Sequence, residues 1–411
     1  MRVRDLFILL FFCSPTVSWA QLGFHLKPGQ KRVQFPVEIV NNLVIVPVVV
    51  NGQLPLKFIL DTGVRTTILT EKAFSDILNL PYARRLLVAG PGGEKIVEAF
   101  VTNNVTLDMP GIHGQGHAML VLEKDYLELR NYLGTDVQGI LGYEVFSRFV
   151  VEIDYEGRRL TISSPDSYRP GKRRQELPIK IEDTKPYVEA FIKMQDGAIV
   201  KSKLLIDTGA SHGLLLEPTT NSLISVPEKH VSGLIGRGIG GPINGKIGRI
   251  NSIDLGRYRL HGVIANYPDP NSYDFIDTLQ SADIFRNGAI GGELLRRFTV
   301  TFNFPMEKMY LKKNTSYRKK FNFNMSGLTL KAKGSRLRKY DISDVRVGST
   351  AEEAGILIGD ELISINGVYA SDFSLNELNA VFDIKPGKII RLEIMRGGKL
   401  IVKKVKMVSP I

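Results

Sequence analysis

Residues 57–70 read KFILDTGVRTTILT, and residues 203–216 read KLLIDTGASHGLLL. Each has an apolar run, then Asp-Thr-Gly, then a second apolar run. The aspartates, Asp61 and Asp207, stand 146 residues apart. A single copy reads as a strand and an ordinary turn, since Asp and Gly both favour turns. Here the flanks repeat as well. Upstream, FPVEI (35–39) corresponds to LPIKI (177–181), and VIVPVVVNGQLPLKFIL (44–60) to VEAFIKMQDGAIVKSKLLI (188–206). These Val/Ile-rich runs read as β-hairpins turning at Asn51-Gly52 and Asp196-Gly197. Downstream, QGILGYEVFSRFVVEID (138–154) corresponds to NGAIGGELLRRFTVTFN (287–303). Each is a strand ending at Gly142 or Gly291, a short helical turn and a returning hairpin. The Asp-to-Gly spacings, 81 and 84 residues, nearly agree. Matching segments in one order at one spacing mark a duplicated lobe.

Between the matching segments each half has a glycine-rich stretch, AGPGGEK (89–95) and GRGIGGPINGK (236–246). Glycine admits backbone angles closed to other residues. Gly92, Gly93, Gly240 and Gly241 therefore fit the tips of mobile hairpins; the other reading is a pair of surface turns. After Asn314 the pattern changes. Residues 325–411 run strand, strand, short helix, strand, longer helix, hairpin, a compact α+β domain of about 90 residues.

A length of 411 residues suggests two to four domains, and 43 % apolar with 23 % charged residues is ordinary globular material. The net charge is +12, with basic runs at 172–174 and 318–320. Either these draw the chain to anionic surfaces or they are solvated linkers. No zinc finger, stacked aromatic pair or helix-turn-helix pattern supports nucleic-acid binding. Arg2 and Arg4 precede the apolar run 6–12, and Ser18-Trp19-Ala20 ends in small residues, the pattern of a secretory signal peptide. A lipoprotein signal on Cys13 is the rival, with Phe12 where such a signal needs a small residue. The expectation is export, to a periplasm or the exterior, with a mature start near Gln21. No later run is long enough to anchor the chain in a bilayer. Cys13 is the only cysteine, so the mature chain has no disulfide, thiolate metal site or Cys nucleophile.

If the lobes pack about a pseudo-twofold axis, Asp61 and Asp207 meet at its centre. Two carboxylates a few Å apart cannot both ionise cheaply, so they share one proton. One is then a base and the other an acid at the same pH, able to activate a water and polarise a carbonyl. On the two Asp-Thr-Gly turns, the turns Ile140-Leu141-Gly142 and Ala289-Ile290-Gly291, and the glycine-rich stretches, residues from near Phe35 to Lys313 resemble the aspartic peptidases of the pepsin and retropepsin type. The resemblance implies a mainly β, two-lobed, internally duplicated fold. It implies Asp61 and Asp207 as the catalytic dyad and Thr62 and Thr208 bonded across between lobes, with Gly63 and Gly209 completing the turns. The glycine-rich stretches become flaps, and neither metal nor cofactor is needed. Val64 and Ala210 stand where pepsin-like enzymes carry Ser or Thr. Ala210 is retropepsin-like, and losing that hydroxyl predicts a less acidic optimum than pepsin's. Neither flap candidate carries the Tyr of pepsin.

His212, just past the second motif, either lines the cleft and tunes its pH response or is a turn residue. His113 and His117 have the spacing of a helical metal pair, but GIHGQGH is too glycine-rich for a helix, so no metal site is assigned.

The last unit resembles a PDZ domain. Gly327-Leu328-Thr329-Leu330 sits where that family binds a peptide carboxylate with backbone N–H groups, with Thr329 replacing the usual Gly. Gly348-Ser349, Ala354-Gly355 and Gly359-Asp360-Glu361-Leu362-Ile363 match its most recognisable stretch. The resemblance implies a peptide C-terminus or partner protein adding as a strand beside residues 329–333, walled by the helix around 375–382; the alternative use is to brace the lobes. The expected division is signal peptide 1–20, first lobe 21–165, linker 166–176, second lobe 177–313 and PDZ domain 314–411. The expected activity is an exported aspartic endopeptidase acting on protein or peptide substrates. The alternatives are a non-catalytic binding or scaffold protein of peptidase-derived fold, or self-processing within 21–34. Pairing of the lobes within one chain is expected because both copies are complete and in tandem; a homodimer pairing like lobes is the alternative.

Overall fold

Strand formation starts from the Val-rich runs. In the strand Leu43–Val50, Val44, Val46, Val48 and Val50 all turn into the core. β-branched side chains suit a pleated surface, and each full burial contributes on the order of 1.5 kcal/mol. The computed structural model describes residues 22–93, 96–270, 284–383 and 385–411. The signal pattern of residues 1–20, the proposed start at Gln21, and Glu94 and Lys95 of the first glycine-rich stretch lie outside them.

Both quoted hairpins form: Leu43–Val50 pairs with Leu54–Leu60, and Lys185–Lys193 with Ile199–Ile206. Each builds its lobe's own sheet, of nine strands in the first lobe and ten in the second among the described residues. A third sheet of six strands joins the lobes. Its order is Gln175–Pro178, Lys308–Lys313, Phe298–Asn303, Val150–Asp154, Arg159–Ser163, Arg32–Pro36, so each half of the chain supplies three strands. At its middle, Val150–Asp154 runs antiparallel to Phe298–Asn303, with Glu152 opposite Thr301. These two residues are equivalent in the repeat, so the pseudo-twofold axis passes between them. The lobes are therefore related as expected, within one chain.

Two expected boundaries shift. The linker expected over 166–176 ends sooner, because Gln175 and Glu176 already pair with Leu311 and Tyr310 in the shared sheet. Arg174 is no loose linker cation either: it bonds Thr301 Oγ1 at 2.6 Å and pairs with Glu152 at 2.8 Å. The third unit was drawn from Asn314, yet Tyr317 packs on Tyr258 and Phe298 of the second lobe, and Phe321 joins the core of the lobes. The Phe321 ring lies 3.5 Å from the buried Arg297 guanidinium, which also donates to the carbonyls of Ser316, Lys319 and Lys320. The second basic run thus supplies acceptors for a buried cation, which is how such a charge is tolerated.

From Phe323 onward the chain has its own core. Its sheet runs Leu328–Lys333, Lys339–Val345, Glu361–Ile365, Ile389–Arg396, Lys399–Lys406, with Leu328–Lys333 at one edge. The helix Leu375–Phe382 begins with a capping box between Ser374 and Glu377 and buries Leu375, Leu378 and Phe382. Among the described residues, no helix is long and apolar enough to cross a membrane.

Candidate active site

Each Asp-Thr-Gly turn leaves a central strand. Leu54–Leu60 lies parallel to Gly139–Leu141, and Asp61 N–H donates to the Leu141 carbonyl at 2.8 Å. In the second lobe Ile199–Ile206 lies parallel to Gly288–Ile290, and Asp207 N–H donates to Ile290 at 2.9 Å. The glycine that follows each apolar pair is required by the fold. A side chain at Gly142 would begin 2.0 Å from the Val64 carbonyl oxygen, and one at Gly291 2.3 Å from that of His212.

The two turns then lock across the axis. Thr62 N–H donates to Thr208 Oγ1 and Thr208 N–H to Thr62 Oγ1, both at 3.0 Å. Each hydroxyl also donates across the axis, Thr62 to the Ile206 carbonyl at 2.6 Å and Thr208 to that of Leu60 at 2.8 Å. Both threonines are fully buried. Gly63 N–H donates to Asp61 Oδ1 at 2.6 Å and Gly209 N–H to Asp207 Oδ1 at 2.9 Å. A methyl at Gly209 would stand 2.1 Å from Asp61 Oδ2.

The two carboxyls are hydrogen-bonded to each other and unequal. Burial first, then the charge of Asp207, pushes Asp61 well above the usual carboxylate range, against the Gly63 N–H. Burial also raises Asp207, but the Gly209 and Ala210 N–H groups and the nearby Arg286 oppose it. The shared proton therefore belongs on Asp61. After the second motif, where a hydroxyl is missing, the backbone N–H of Ala210 bonds Asp207.

The dyad opens into a cavity of about 770 Å³. Its walls are largely apolar, with Val64, Ile68, Leu86, Met119, Leu205 and Leu215 among them, and Arg65, Arg84, Asp183, Lys185, Glu217 and Arg286 add charge. His212 lines it too, so it faces the cleft as well as making the turn. Burial takes its pKa down to about 4, and its Nε2 is shut from solvent without a partner. The roof is made by both flap candidates. The Tyr82–Val88 and Val97–Met109 strands lead to one tip, and the hairpin His230–Gly238/Gly241–Arg249 carries the other. They meet tip to tip: Gly240 N–H donates to the Pro91 carbonyl at 2.9 Å. At Gly92, in the left-handed region at φ +103°, a side chain would begin 2.0 Å from Gly241 O, and Gly93 faces Gly240.

The histidine pair is placed elsewhere. His113 and His117 lie on the strand Ile112–Leu122 and pair with Asp108 at 2.5 Å and Glu144 at 2.9 Å. Among the described residues no cluster of three or more metal-ligating side chains forms.

The PDZ groove differs from expectation in two respects. First, part of the carboxylate loop is already bonded. Asn324 Oδ1 accepts from Ser326 and Gly327 N–H at 3.1 and 3.2 Å, and Leu328 N–H donates to Ser326 Oγ at 3.1 Å. Asn324 Nδ2 donates to the Leu328 carbonyl at 2.8 Å. Thr329 and Leu330 continue into the edge strand. Second, the far end of that strand is covered by the first-lobe helix Leu129–Leu133. Asn131 Nδ2 donates to Ala332 O at 2.7 Å, Arg130 to Ser335 O at 3.0 Å, and Glu128 pairs with Lys331. Gly134 packs against Leu375 at the start of the groove helix. Tyr132 of this helix stacks with Lys331 and with Arg237 of the second flap, and its hydroxyl accepts from Arg237 at 3.0 Å. Val231 and Ile247 of that flap pack on the PDZ core.

An aspartyl protease family model matches residues 46–145, and a PDZ domain model matches residues 342–396. The chain carries an aspartyl protease domain and a PDZ domain. No curated protein is similar enough in sequence to count as a match. Among solved structures, the crystal structure of Basic 7S globulin from soybean aligns at 10 % identity and a TM-score of 0.40, over 71 % of this chain and 99 % of that one.

The dyad, its threonines, both flaps and the PDZ loop were readable as motifs. Lys185, Arg286, Arg174 and Asn324 were not. For Lys185 a signal existed. Extending the FPVEI/LPIKI match by a few residues sets Lys185 against Leu43, a charge where the first lobe buries a leucine.

Proposed function

We propose that the protein is an aspartic endopeptidase working without a cofactor, and that its signal pattern directs it out of the cytoplasm. The observation that carries the reading is the reciprocal Thr62–Thr208 locking, which seats two half-buried, hydrogen-bonded carboxyls of unequal acidity at the floor of a roofed cleft. Asp207 takes a proton from a bound water as its oxygen attacks the peptide carbonyl carbon. Asp61 gives its proton to the carbonyl oxygen, forming a neutral tetrahedral gem-diol. The C–N bond then breaks, the leaving nitrogen takes the proton held by Asp207, and one hydroxyl proton returns to Asp61. The tip-to-tip flaps must part for a chain to enter and would then exclude water.

For the PDZ domain, the covered edge strand favours a brace: it holds the second flap from behind, and only its Gly327–Leu330 end remains for a peptide or partner. The test is cleavage of a peptide library read by mass spectrometry from pH 3 to 8, with Asp61→Asn and Asp207→Asn alongside. Cutting by the parent and a loss of about a thousandfold or more in each variant is the expected result. Equal behaviour of all three would sink the peptidase reading in favour of a binding module.

A further inference from the structure

The cleft wall on the second-lobe side carries several charges beside the two carboxyls of the dyad. Asp183 reaches across the lobes to Arg65 at 3.3 Å, and Glu217 holds Arg286 at 3.4 Å. Lys185, on the same wall, has no carboxylate within 4 Å among the described residues. It is half-buried at the start of the strand Lys185–Lys193. The repeat shows what the fold alone would place there. The turns before it match: Asn41 and Asn42 in the first lobe, Asp183 and Thr184 in the second, all four with φ between 43° and 69°. The next residue is Leu43 in the first lobe, 5 % exposed against Leu133 and Val137. A lysine at this position is therefore not a demand of the turn or the strand. Burial first, then the charge of Arg286, lowers its pKa, and the weaker pull of Asp183, Asp207 and Asp61 does not make up for it. A partly dehydrated cation facing an apolar cleft favours an anion brought to it.

We propose that Lys185, backed by Arg286, is an anion-accepting subsite beside Asp207, so that the substrate class is peptides with an Asp or Glu side chain close to the scissile bond. This rests on the peptidase reading for its meaning, but its test does not need turnover. The probes are end-blocked octapeptides differing only by Glu or Gln at one position at a time, titrated by fluorescence anisotropy against the full mature chain carrying Asp61→Asn. The expected result is a preference for Glu of at least about tenfold at one position. Adding Lys185→Met abolishes it by weakening the Glu peptide, while Lys185→Arg keeps it. Thermal melting of both variants verifies that they fold. Glu and Gln forms that bind alike at every position, or not at all, overturn the proposal, as does a preference that survives Lys185→Met. A preference for Glu in peptides that the unsubstituted protein never cuts supports the subsite and overturns the peptidase reading instead.

Discussion

The two lobes agree at the axis and diverge away from it. Thr62 and Thr208 make the same bonds at the same 3.0 Å, and each lobe threads a Gly-ended strand past its turn. A few Å outward the likeness ends. The two cations that act most on the dyad among the described residues, Lys185 and Arg286, both come from the second lobe. Only its flap is held from behind, by the PDZ core and by Tyr132. In the first flap the contacts are between its own two strands, with Tyr82 beside Phe100 at 4.8 Å and Arg85 paired with Glu98. Duplication kept what twofold symmetry requires and let the rest diverge. Of the two cations, Arg286 favours the charged form of Asp207, whereas Lys185 favours the charged form of Asp61.

The largest test of the shared part is Thr62→Val beside Thr208→Val. Each removes two buried interlobe bonds and leaves an N–H and a carbonyl without that partner, costing about 3–4 kcal/mol. Urea midpoints should fall by equal amounts; losses differing by more than about 1 kcal/mol would break the symmetry claimed for the axis. Next comes acid stability. His212, held to about 4 against 6.5 unfolded, favours the fold fully above pH 6.5 and progressively less as pH falls to 4, by at most about 3 kcal/mol. Thr66 is its counterpart in the first lobe. His212→Thr should flatten that part of the stability curve, and an unchanged slope would show that the ring is not the cause. The raised carboxyls of Asp61 and Asp207 act with the opposite sign, favouring the fold below the carboxylate range and less as pH rises through it.

The turn glycines should differ. A methyl at Gly209 meets Asp61 Oδ2 at 2.1 Å, whereas one at Gly63 meets nothing closer than 3.1 Å. Gly209→Ala should therefore lower kcat/KM about a hundredfold by displacing Asp61, and Gly63→Ala less than tenfold. Equal losses would mean that the turns relax alike. The smallest effect concerns the flaps. Tyr132→Ala removes a hydrogen bond and two cation–π contacts, together worth about 1 kcal/mol. Amide exchange should quicken roughly fivefold in His230–Gly238 and Gly241–Arg249 and stay unchanged in Tyr82–Val88. A uniform change would dissolve the contrast between flaps.

How much of this was legible in the sequence follows from how each part is encoded. The turns, the apolar pairs ending at Gly142 and Gly291 and the flap glycines are local patterns, each dictated by a backbone that only certain residues can follow. The charged wall, the Asn324 bonds in the PDZ loop and the covering of its edge strand depend on which distant segments pack together. Asn131 and Ala332 are 201 residues apart, and neither carries a local mark of meeting the other. The linker follows the same rule: KRR is solvated by default, and only the shared sheet gives Arg174 its partners.

Arg174 also bears on assembly. It sits on the axis, bonded to Glu152 from one half and Thr301 from the other. Had like lobes of two molecules paired through this sheet, one such seam would set Glu152 against Glu152 and the other Thr301 against Thr301. The first juxtaposes two acids at the centre of a sheet, and the second loses its charge partner. Pairing of like lobes is thus disfavoured against pairing of unlike ones, because only the unlike seam gives Arg174 both of its partners.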